Sequence, residues 1–315
     1  MKRAILLLNM GGPNNLDEVE IFLHNMFNDP RIISAPKPIR RLISKIIVAK
    51  RAKSAISNYK LLGGKSPLVG HTQKLIEKLK TKVDADVYMV MRYTPPFAVD
   101  ILEELKDFDE IYAIPLYPQH SSTTTLSSFD DLFCEANKLG IAKKIKTITS
   151  YQTHPLYIKS IVERIKEALK ENDAGEYELI FSAHGVPQKI IDKGDLYEKH
   201  IKESVEAVKT ALQKDEIRFA NTHLAYQSRL GPIEWLRPYM DEKLHEFKDK
   251  KVIVFPVAFT IDNSETECEL DIEYRHLAKT IGIKEYRVAK APNESDDFVE
   301  CLVDIYKKMK NDDRV

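Results

Sequence analysis

Short apolar runs alternate along this chain with longer stretches in which apolar residues return every three or four positions. The runs read as buried strands and the stretches as amphipathic helices. Strands are expected at 4–9, 87–93, 111–116 and 145–149 in the first half, and at 178–183, 217–222, 252–259 and 286–289 in the second. This alternation predicts mainly parallel sheets flanked by helices. The halves also echo each other. Leu6-Leu7-Leu8-Asn9-Met10-Gly11-Gly12-Pro13 and Leu179-Ile180-Phe181-Ser182-Ala183-His184-Gly185-Val186-Pro187 each run from an apolar strand into glycine and then proline. Two similar α/β domains, each with about four strands and with a cleft between them, are the economical reading. The expected division is 1–152 and 153–315, with the boundary near 151–155. A stretch at about 296–309 closes the second domain as a helix, with Phe298, Val299, Leu302, Val303, Ile305 and Tyr306 mostly on one face.

Composition narrows the class. At 315 residues, 43% hydrophobic and 30% charged, the chain has material for two ordinary cores. Its net charge is zero, so nothing global points to nucleic acid. Cys134, Cys268 and Cys301 lie far apart and fit no metal or disulfide spacing, which suggests a reducing cytoplasm. No apolar run reaches the roughly 18 residues needed to span a bilayer. The opening run starts like a signal peptide but meets Gly11-Gly12-Pro13 too soon, and reads as a first strand. Neither Gly11-Gly12 nor Gly63-Gly64 has the spacing of a phosphate or dinucleotide loop.

One segment breaks the charge balance. From residue 31 to residue 65 there are ten Lys or Arg and no Asp or Glu. Within it, 39–51 reads as a basic amphipathic helix, with Leu42, Ile43, Ile46 and Ile47 on one stripe and Arg40, Arg41, Lys45 and Lys50 mostly off it. Such a helix fits an anionic bilayer surface or an ordinary domain surface. A basic rim beside a cleft would also suit an anionic substrate.

The chemistry concentrates in the second half. The run that ends in Ser182-Ala183-His184-Gly185 delivers an imidazole at the carboxyl end of a strand, the edge where open α/β sheets bind ligands. Gly185 permits a sharp turn and Pro187 stops the strand. A core histidine hydrogen-bonded at a strand end fits this stretch equally well. Downstream, Ser264 and Glu267 have capping-box spacing and predict a helix start. Glu265, Glu269 and Glu273, four apart, would form a carboxylate row on one helix face. Near the helix start the dipole alone favours such acids, which accounts for Glu265 and Glu267 better than for Glu273. With one histidine the row offers nitrogen and oxygen donors suited to Fe²⁺ or a similar cation.

These segments together resemble the ferrochelatases, which insert ferrous iron into a porphyrin. In order they are Leu8-Asn9-Met10-Gly11-Gly12-Pro13, Phe22-Leu23-His24-Asn25-Met26-Phe27-Asn28-Asp29-Pro30, Leu62-Gly63-Gly64-Lys65-Ser66-Pro67-Leu68, Met91-Arg92-Tyr93 and Leu116-Tyr117-Pro118-Gln119-His120-Ser121. Then come Ser182-Ala183-His184-Gly185-Val186-Pro187, Lys193-Gly194-Asp195, Tyr226-Gln227-Ser228-Arg229-Leu230-Gly231-Pro232, and Glu265-Thr266 with Glu269-Leu270-Asp271-Ile272-Glu273-Tyr274. The resemblance implies two Rossmann-like domains, a mainly parallel four-stranded sheet in each, and a porphyrin cleft. It implies a central pair, His184 and Glu265, that handles metal and protons. His184 either takes pyrrole protons or binds iron, and Glu265 orients it. Glu269, Glu273 and Asp262 extend a proton or metal path to solvent. Met10, Ser66, Arg92, Tyr93 and Tyr117 are the implied porphyrin-binding residues, and Arg40 or Arg41 could join Ser66 at the propionates. Residues of about 20–65 would form a lip, with Phe22, Leu23, Met26 and Phe27 as an apolar mouth.

Two departures stand out. The family pattern Ser-Asp-His before the key glutamate is Ile261-Asp262-Asn263 here, which removes an imidazole. Family members with an iron–sulfur cluster carry a cysteine-bearing tail; this sequence ends at Val315, so no cluster is expected. The expected partners are a porphyrin and ferrous iron as substrates, without a tightly bound cofactor and without nucleic acid. The expected location is the cytoplasm, with peripheral contact at the inner face of an anionic membrane left open. The Met10-Gly11-Gly12-Pro13 segment leans towards protoporphyrin IX, giving protoheme with release of two protons in heme biosynthesis. A chelatase that puts cobalt or nickel into another tetrapyrrole, or a heme carrier without chemistry, remains open on the same residues.

Overall fold

The structure, a computed structural model, describes residues 1–311. It divides into two compact units. Met1–Ser150 with the described residues from Leu302 onward form the first, and Tyr151–Cys301 the second.

In the first unit the chain runs β1 (Arg3–Asn9), α1 (Glu18–Phe27), α2 (Lys37–Leu61), α3 (Leu68–Lys80), β2 (Asp86–Met91), α4 (Ala98–Glu104), β3 (Glu110–Pro115), α5 (Thr125–Lys138) and β4 (Ile145–Thr147). The sheet order is β2-β1-β3-β4, and every pairing is parallel. Ala4, Leu6 and Leu8 face one way and pack with Ala113, Leu102 and Leu132. Ile5 and Leu7, facing the other way, are equally buried. A strand covered on both faces reads as a continuous apolar run, which is why β1 shows none of the alternation of a half-exposed strand.

The second unit repeats the plan: α6 (Pro155–Leu169), β5 (Tyr177–His184), α7 (Gln188–Asp192), α8 (Tyr197–Lys214), β6 (Asn221–Gln227), α9 (Met240–Leu244), β7 (Lys251–Pro256), α10 (Tyr274–Ile281) and β8 (Glu285–Val288). Its order is β6-β5-β7-β8, again all parallel. A π-helical segment, Glu265–Glu273, leads into α10. Leu270 of that segment, Ala278 of α10 and Met240 of α9 share a buried cluster with Ile180, Ala225 and Val254 of the sheet. Each large aliphatic side chain so buried stabilises by about 1.5–3 kcal/mol. Burial of Leu270 pins the π-helical segment beside the carboxyl ends of the strands.

Four expectations are corrected. The strand expected at 217–222 lies at Asn221–Gln227. The apolar Ile217 belongs to the end of α8: Glu216 is left-handed at φ 60, its N–H donates to the Gln213 carbonyl and the Ile217 N–H donates to the Leu212 carbonyl. That is a Schellman closure, which places an apolar residue just past a helix. The true strand is an edge strand, half-exposed through His223 and Leu224, so its composition is more polar than the pattern sought. Second, the closing helix, α11 (Asp296–Asn311), is shared: from Leu302 it belongs to the first unit. The Tyr306 hydroxyl donates to Asp84 at 2.8 Å and its ring stacks edge-on against Tyr112. Third, the basic helix is longer than expected, 25 residues, and its stripe splits. Ile43 and Ile47 are half-buried, whereas Leu42 and Ile46 face water. In α1, Leu23 and Phe27 are buried core residues rather than parts of an open mouth.

Candidate active site

β5 lies inside its sheet, between β6 and β7. His184 is its last residue, with Gln227 opposite on β6. The chain must turn at once, because the Gly185 N–H donates to the Gln227 carbonyl at 2.8 Å. A Cβ on residue 185 would stand 2.8 Å from that same oxygen, so only glycine fits without a shift. The imidazole is then held at both nitrogens: its Nδ1 is 2.6 Å from the Gly185 carbonyl and Nε2 faces Glu265 Oε1 at 3.3 Å. The Tyr197 hydroxyl steadies the backbone beneath it, donating to the His184 carbonyl at 2.8 Å. Donation from Nδ1 to the carbonyl leaves Nε2 as the working nitrogen.

Glu265 opens the π-helical segment. The expected cap, Ser264, makes no capping bond. Asn263 does: its side-chain oxygen accepts from the Glu265 N–H at 2.7 Å, and its own N–H donates to Thr266 Oγ1 at 3.0 Å. The reciprocal box lies one residue earlier than the Ser264/Glu267 spacing suggests. The residue that stands where the family has histidine therefore fixes the start of the segment that carries Glu265. Glu265 Oε2 is buried and has no hydrogen-bond partner among the described residues.

The electrostatics follow from this geometry. Desolvation pulls the His184 pKa down, but the Glu265 charge, its hydrogen bond, the Glu269 charge and the Gly185 carbonyl outweigh it and raise the value to about 9. The ring therefore carries a proton at neutral pH, and must lose it before Nε2 can take a pyrrole proton or bind iron. Glu269 is raised too, by burial first and by the Glu265 charge second.

Glu269 is the most tightly held member of the row. It accepts from the Ser228 N–H at 2.9 Å, from the Ser228 hydroxyl, from Gln227 Nε2 at 3.2 Å and from the Tyr274 hydroxyl at 3.1 Å. The wider π-helical turn brings residues five apart together: Glu269 meets Tyr274, and Glu273 Oε1 meets Cys268 Sγ at 3.9 Å. Glu273 is exposed at the far end of the segment. Asp262 does not join the row. Its buried carboxylate accepts from Asn293 Nδ2 at 2.6 Å and from the Ala291 N–H at 3.2 Å, holding a loop. Gln227, Ser228 and Tyr274 were missed as site residues. They fall inside family-like runs, but nothing in their spacing says that they converge on Glu269. Among the described residues no group of three or more His, Cys, Asp and Glu is arranged to hold a metal ion.

In the first unit, Tyr93 is buried and its hydroxyl donates to Asp29 at 2.9 Å. Arg92 pairs with Asp29 at 3.1 Å and with Asp131 at 3.4 Å, and donates to Ser127. Its charge is thus already matched internally. Ser66 is buried, and its N–H donates to the Pro13 carbonyl at 2.7 Å. Arg40 donates to the carbonyls of Asn28 and Ala35, while Arg41 is exposed. Met10 and Tyr117 are half-buried.

This doubled parallel α/β plan is that of the chelatases. The solved structure of SirB from Bacillus subtilis with Fe³⁺ matches it with a TM-score of 0.59, over 99% of this chain and 96% of that one, at 10% identity, a likeness of fold alone. The family model Ferrochelatase matches residues 2–310. The chain is 50% identical to the ferrochelatase of Sulfurimonas denitrificans, over 98% of this chain and 99% of that protein. It is likewise 50% identical to that of a Nitratiruptor species, over 98% and 100%. The chain belongs to the ferrochelatase family. It is a lyase-class metal chelatase, an enzyme of heme biosynthesis that inserts ferrous iron into a porphyrin.

Proposed function

We propose that His184 and Glu265 are the groups through which this chain exchanges protons for iron, with Glu269 as the next carboxylate along the path. The observation that carries the reading is the Glu265 carboxylate, whose Oε1 faces His184 Nε2 while its Oε2 is buried and unpartnered. An acceptor left without a hydrogen bond in a protein interior is costly, and a proton or a cation would satisfy it. At rest the pair holds one proton as an imidazolium–carboxylate. An arriving Fe²⁺ lowers the affinity of both groups for that proton by direct repulsion, so metal arrival and proton release are coupled. One imidazole and one carboxylate make a loose donor set for a borderline cation. Such a set suits handing the ion on, because the remaining positions stay open to the pyrrole nitrogens. Once the ion has passed to the ring, Nε2 is free again and His184 can accept one of the two displaced pyrrole protons; the Glu265 carboxylate takes the other, and Glu269 and then the exposed Glu273 lead towards solvent. Asp262 drops out of this path, since its carboxylate is turned to Asn293 and Ala291. His184→Ala is expected to reduce anaerobic iron insertion by roughly 10²–10⁴-fold. A folded variant with near-normal turnover would remove the reading.

For the porphyrin, Met10 and Tyr117 are the better candidates of the five residues, because Ser66, Arg92 and Tyr93 spend their polar groups inside the first unit. Protoporphyrin IX is the preferred ring on the Met10–Pro13 segment, and parallel assays with protoporphyrin and coproporphyrin read this directly by absorption.

The same reading includes peripheral contact with an anionic membrane surface. Among the described residues no helix is long and apolar enough to cross a bilayer. On α2, Ile39, Leu42 and Ile46 are 53%, 61% and 49% exposed, and the exposed Lys37, Arg41 and Lys45 lie among them. An apolar stripe with basic flanks lies flat in a headgroup layer. Flotation with anionic liposomes should show binding at low salt that weakens at high salt. No binding at low salt rejects the contact.

A further inference from the structure

The carboxylates were expected as a row on one helix face, and Glu269 is in addition gripped from a different element. Ser228, just past the end of β6, has a left-handed backbone at φ 66, a conformation that serine adopts at a cost. That backbone turns the Ser228 N–H onto Glu269 Oε1 at 2.9 Å and the Ser228 hydroxyl onto Oε2. Gln227 adds a third donor, its Nε2, at 3.2 Å from Oε2. The Gln227 amide cannot rotate, because its Oε1 accepts from the Ser182 hydroxyl at 2.7 Å and the residue is 2% exposed. The backbone carbonyl of the same Gln227 accepts from Gly185 at 2.8 Å and so sets the turn after His184. One dipeptide thus fixes the position of the imidazole through the Gln227 carbonyl, and that of the second carboxylate through the Ser228 N–H and two side chains.

A solvated glutamate on a helix surface needs no such bracket. Charge-assisted bonds to both carboxylate oxygens remove the freedom of the group to swing, at the expense of a left-handed serine. We infer that Gln227 and Ser228 are positioning residues for iron transfer: they hold Glu269 at a fixed reach from the His184–Glu265 pair, so that a cation passing between these groups meets the same geometry at every turnover. The inference rests on the proposed role of Glu269 and adds the elements that make it work.

The test uses the full chain, ferrous iron and a porphyrin under anaerobic conditions. Ser228→Gly keeps the left-handed turn and the N–H and removes only the hydroxyl; Ser228→Ala removes the hydroxyl and keeps the strain. Both should raise the KM for iron roughly tenfold, the scale of one hydrogen bond to a charged group, while the KM for porphyrin stays within about twofold. The thermal midpoint of the glycine variant should not fall, because glycine accepts this backbone freely. Unchanged iron KM in both serine variants, with a raised iron KM in Glu269→Gln, overturns the inference and leaves the role of Glu269 standing. A parallel rise in both KM values, the mark of a merely structural defect, also overturns it. Unchanged iron KM in Glu269→Gln removes the reading of Glu269 itself, and the inference with it.

Discussion

β1 and β5 hold the same place in their sheets, each second from an edge and paired on both sides, and each runs into a glycine and a proline. Their carboxyl ends nevertheless do opposite things. After β1 the hydrogen bonds serve to close the turn. The Met10 N–H donates to Asn9 Oδ1 at 2.8 Å, and the Gly12 N–H donates to Thr94 Oγ1 at 3.1 Å. The Tyr93 N–H donates to the Met10 carbonyl at 2.9 Å. After β5 the backbone is closed just as well, through Gly185 and Gln227, but the last strand residue is a histidine. It faces a carboxylate with an oxygen left over. Topology supplies the position at the sheet end; the side chain placed there decides whether an imidazole meets a carboxylate.

The sharpest way to break this comparison is to disturb both turns alike. Gly185→Ala would bring a Cβ to 2.8 Å from the Gln227 carbonyl and 3.4 Å from the Trp235 ring, displacing the strand end that aims His184. Iron insertion should fall by roughly 10²-fold, the usual consequence of misplacing a reacting group by about 1 Å. Gly11→Ala meets a worse clash, 2.3 Å from Thr94 Oγ1, at a φ of 85. It should cost about 2–3 kcal/mol of stability in chemical denaturation, with turnover per folded molecule changed much less. A larger specific loss at Gly11 under saturating porphyrin, where a shift of the neighbouring Met10 would not show, would put the iron chemistry in the wrong unit.

A smaller effect reads the pair itself. The folded value of His184 is raised to about 9, above the ordinary 6.5 or so of the unfolded chain. The pair therefore stabilises the fold fully below that ordinary value, and the contribution is lost as pH rises through about 9. Removing the carboxylate with Glu265→Gln leaves desolvation in place, so the titration midpoint of His184, followed by NMR of its ring signals, should drop by roughly 1–3 pH units. An unmoved midpoint would mean that Glu265 does not control the imidazole. Smallest of all, Glu273→Gln should alter turnover by less than about twofold, since an exposed carboxylate is well screened, whereas Glu269→Gln should do clearly more. Equal effects would mean that the row acts as one solvated face.

Much of this was legible from residue order. The strands buried on both faces, such as β1 and β5, announce themselves by continuous apolar runs. The edge strand β6 does not, because half its surface is wet, and Ile217 drew the expectation towards a helix end. The His184 turn was readable because histidine, glycine and proline each have a distinct backbone consequence. The carboxylates were readable as a row but not as a geometry. A spacing of four predicts α-helical stacking, whereas the π-helical turn pairs Glu269 with Tyr274 and Glu273 with Cys268. Asp262 looked like a member of the row and serves a loop instead, because the direction of a side chain depends on what packs around it. The shared closing helix escaped the sequence reading for a similar reason: its apolar face is visible, but not which core it covers.

By itself the sequence determined the strand-and-helix alternation, the two parallel sheets and the presence of one imidazole and several acids near strand ends. These follow from local hydrophobic periodicity and from the backbone preferences of glycine and proline, which act within a few residues. Tertiary structure decided that Asn263 caps the segment bearing Glu265, that Ser228 and Gln227 grip Glu269, and that Glu265 raises His184. Each of these depends on distances of about 3 Å between groups far apart in sequence, and only the packed chain sets such distances.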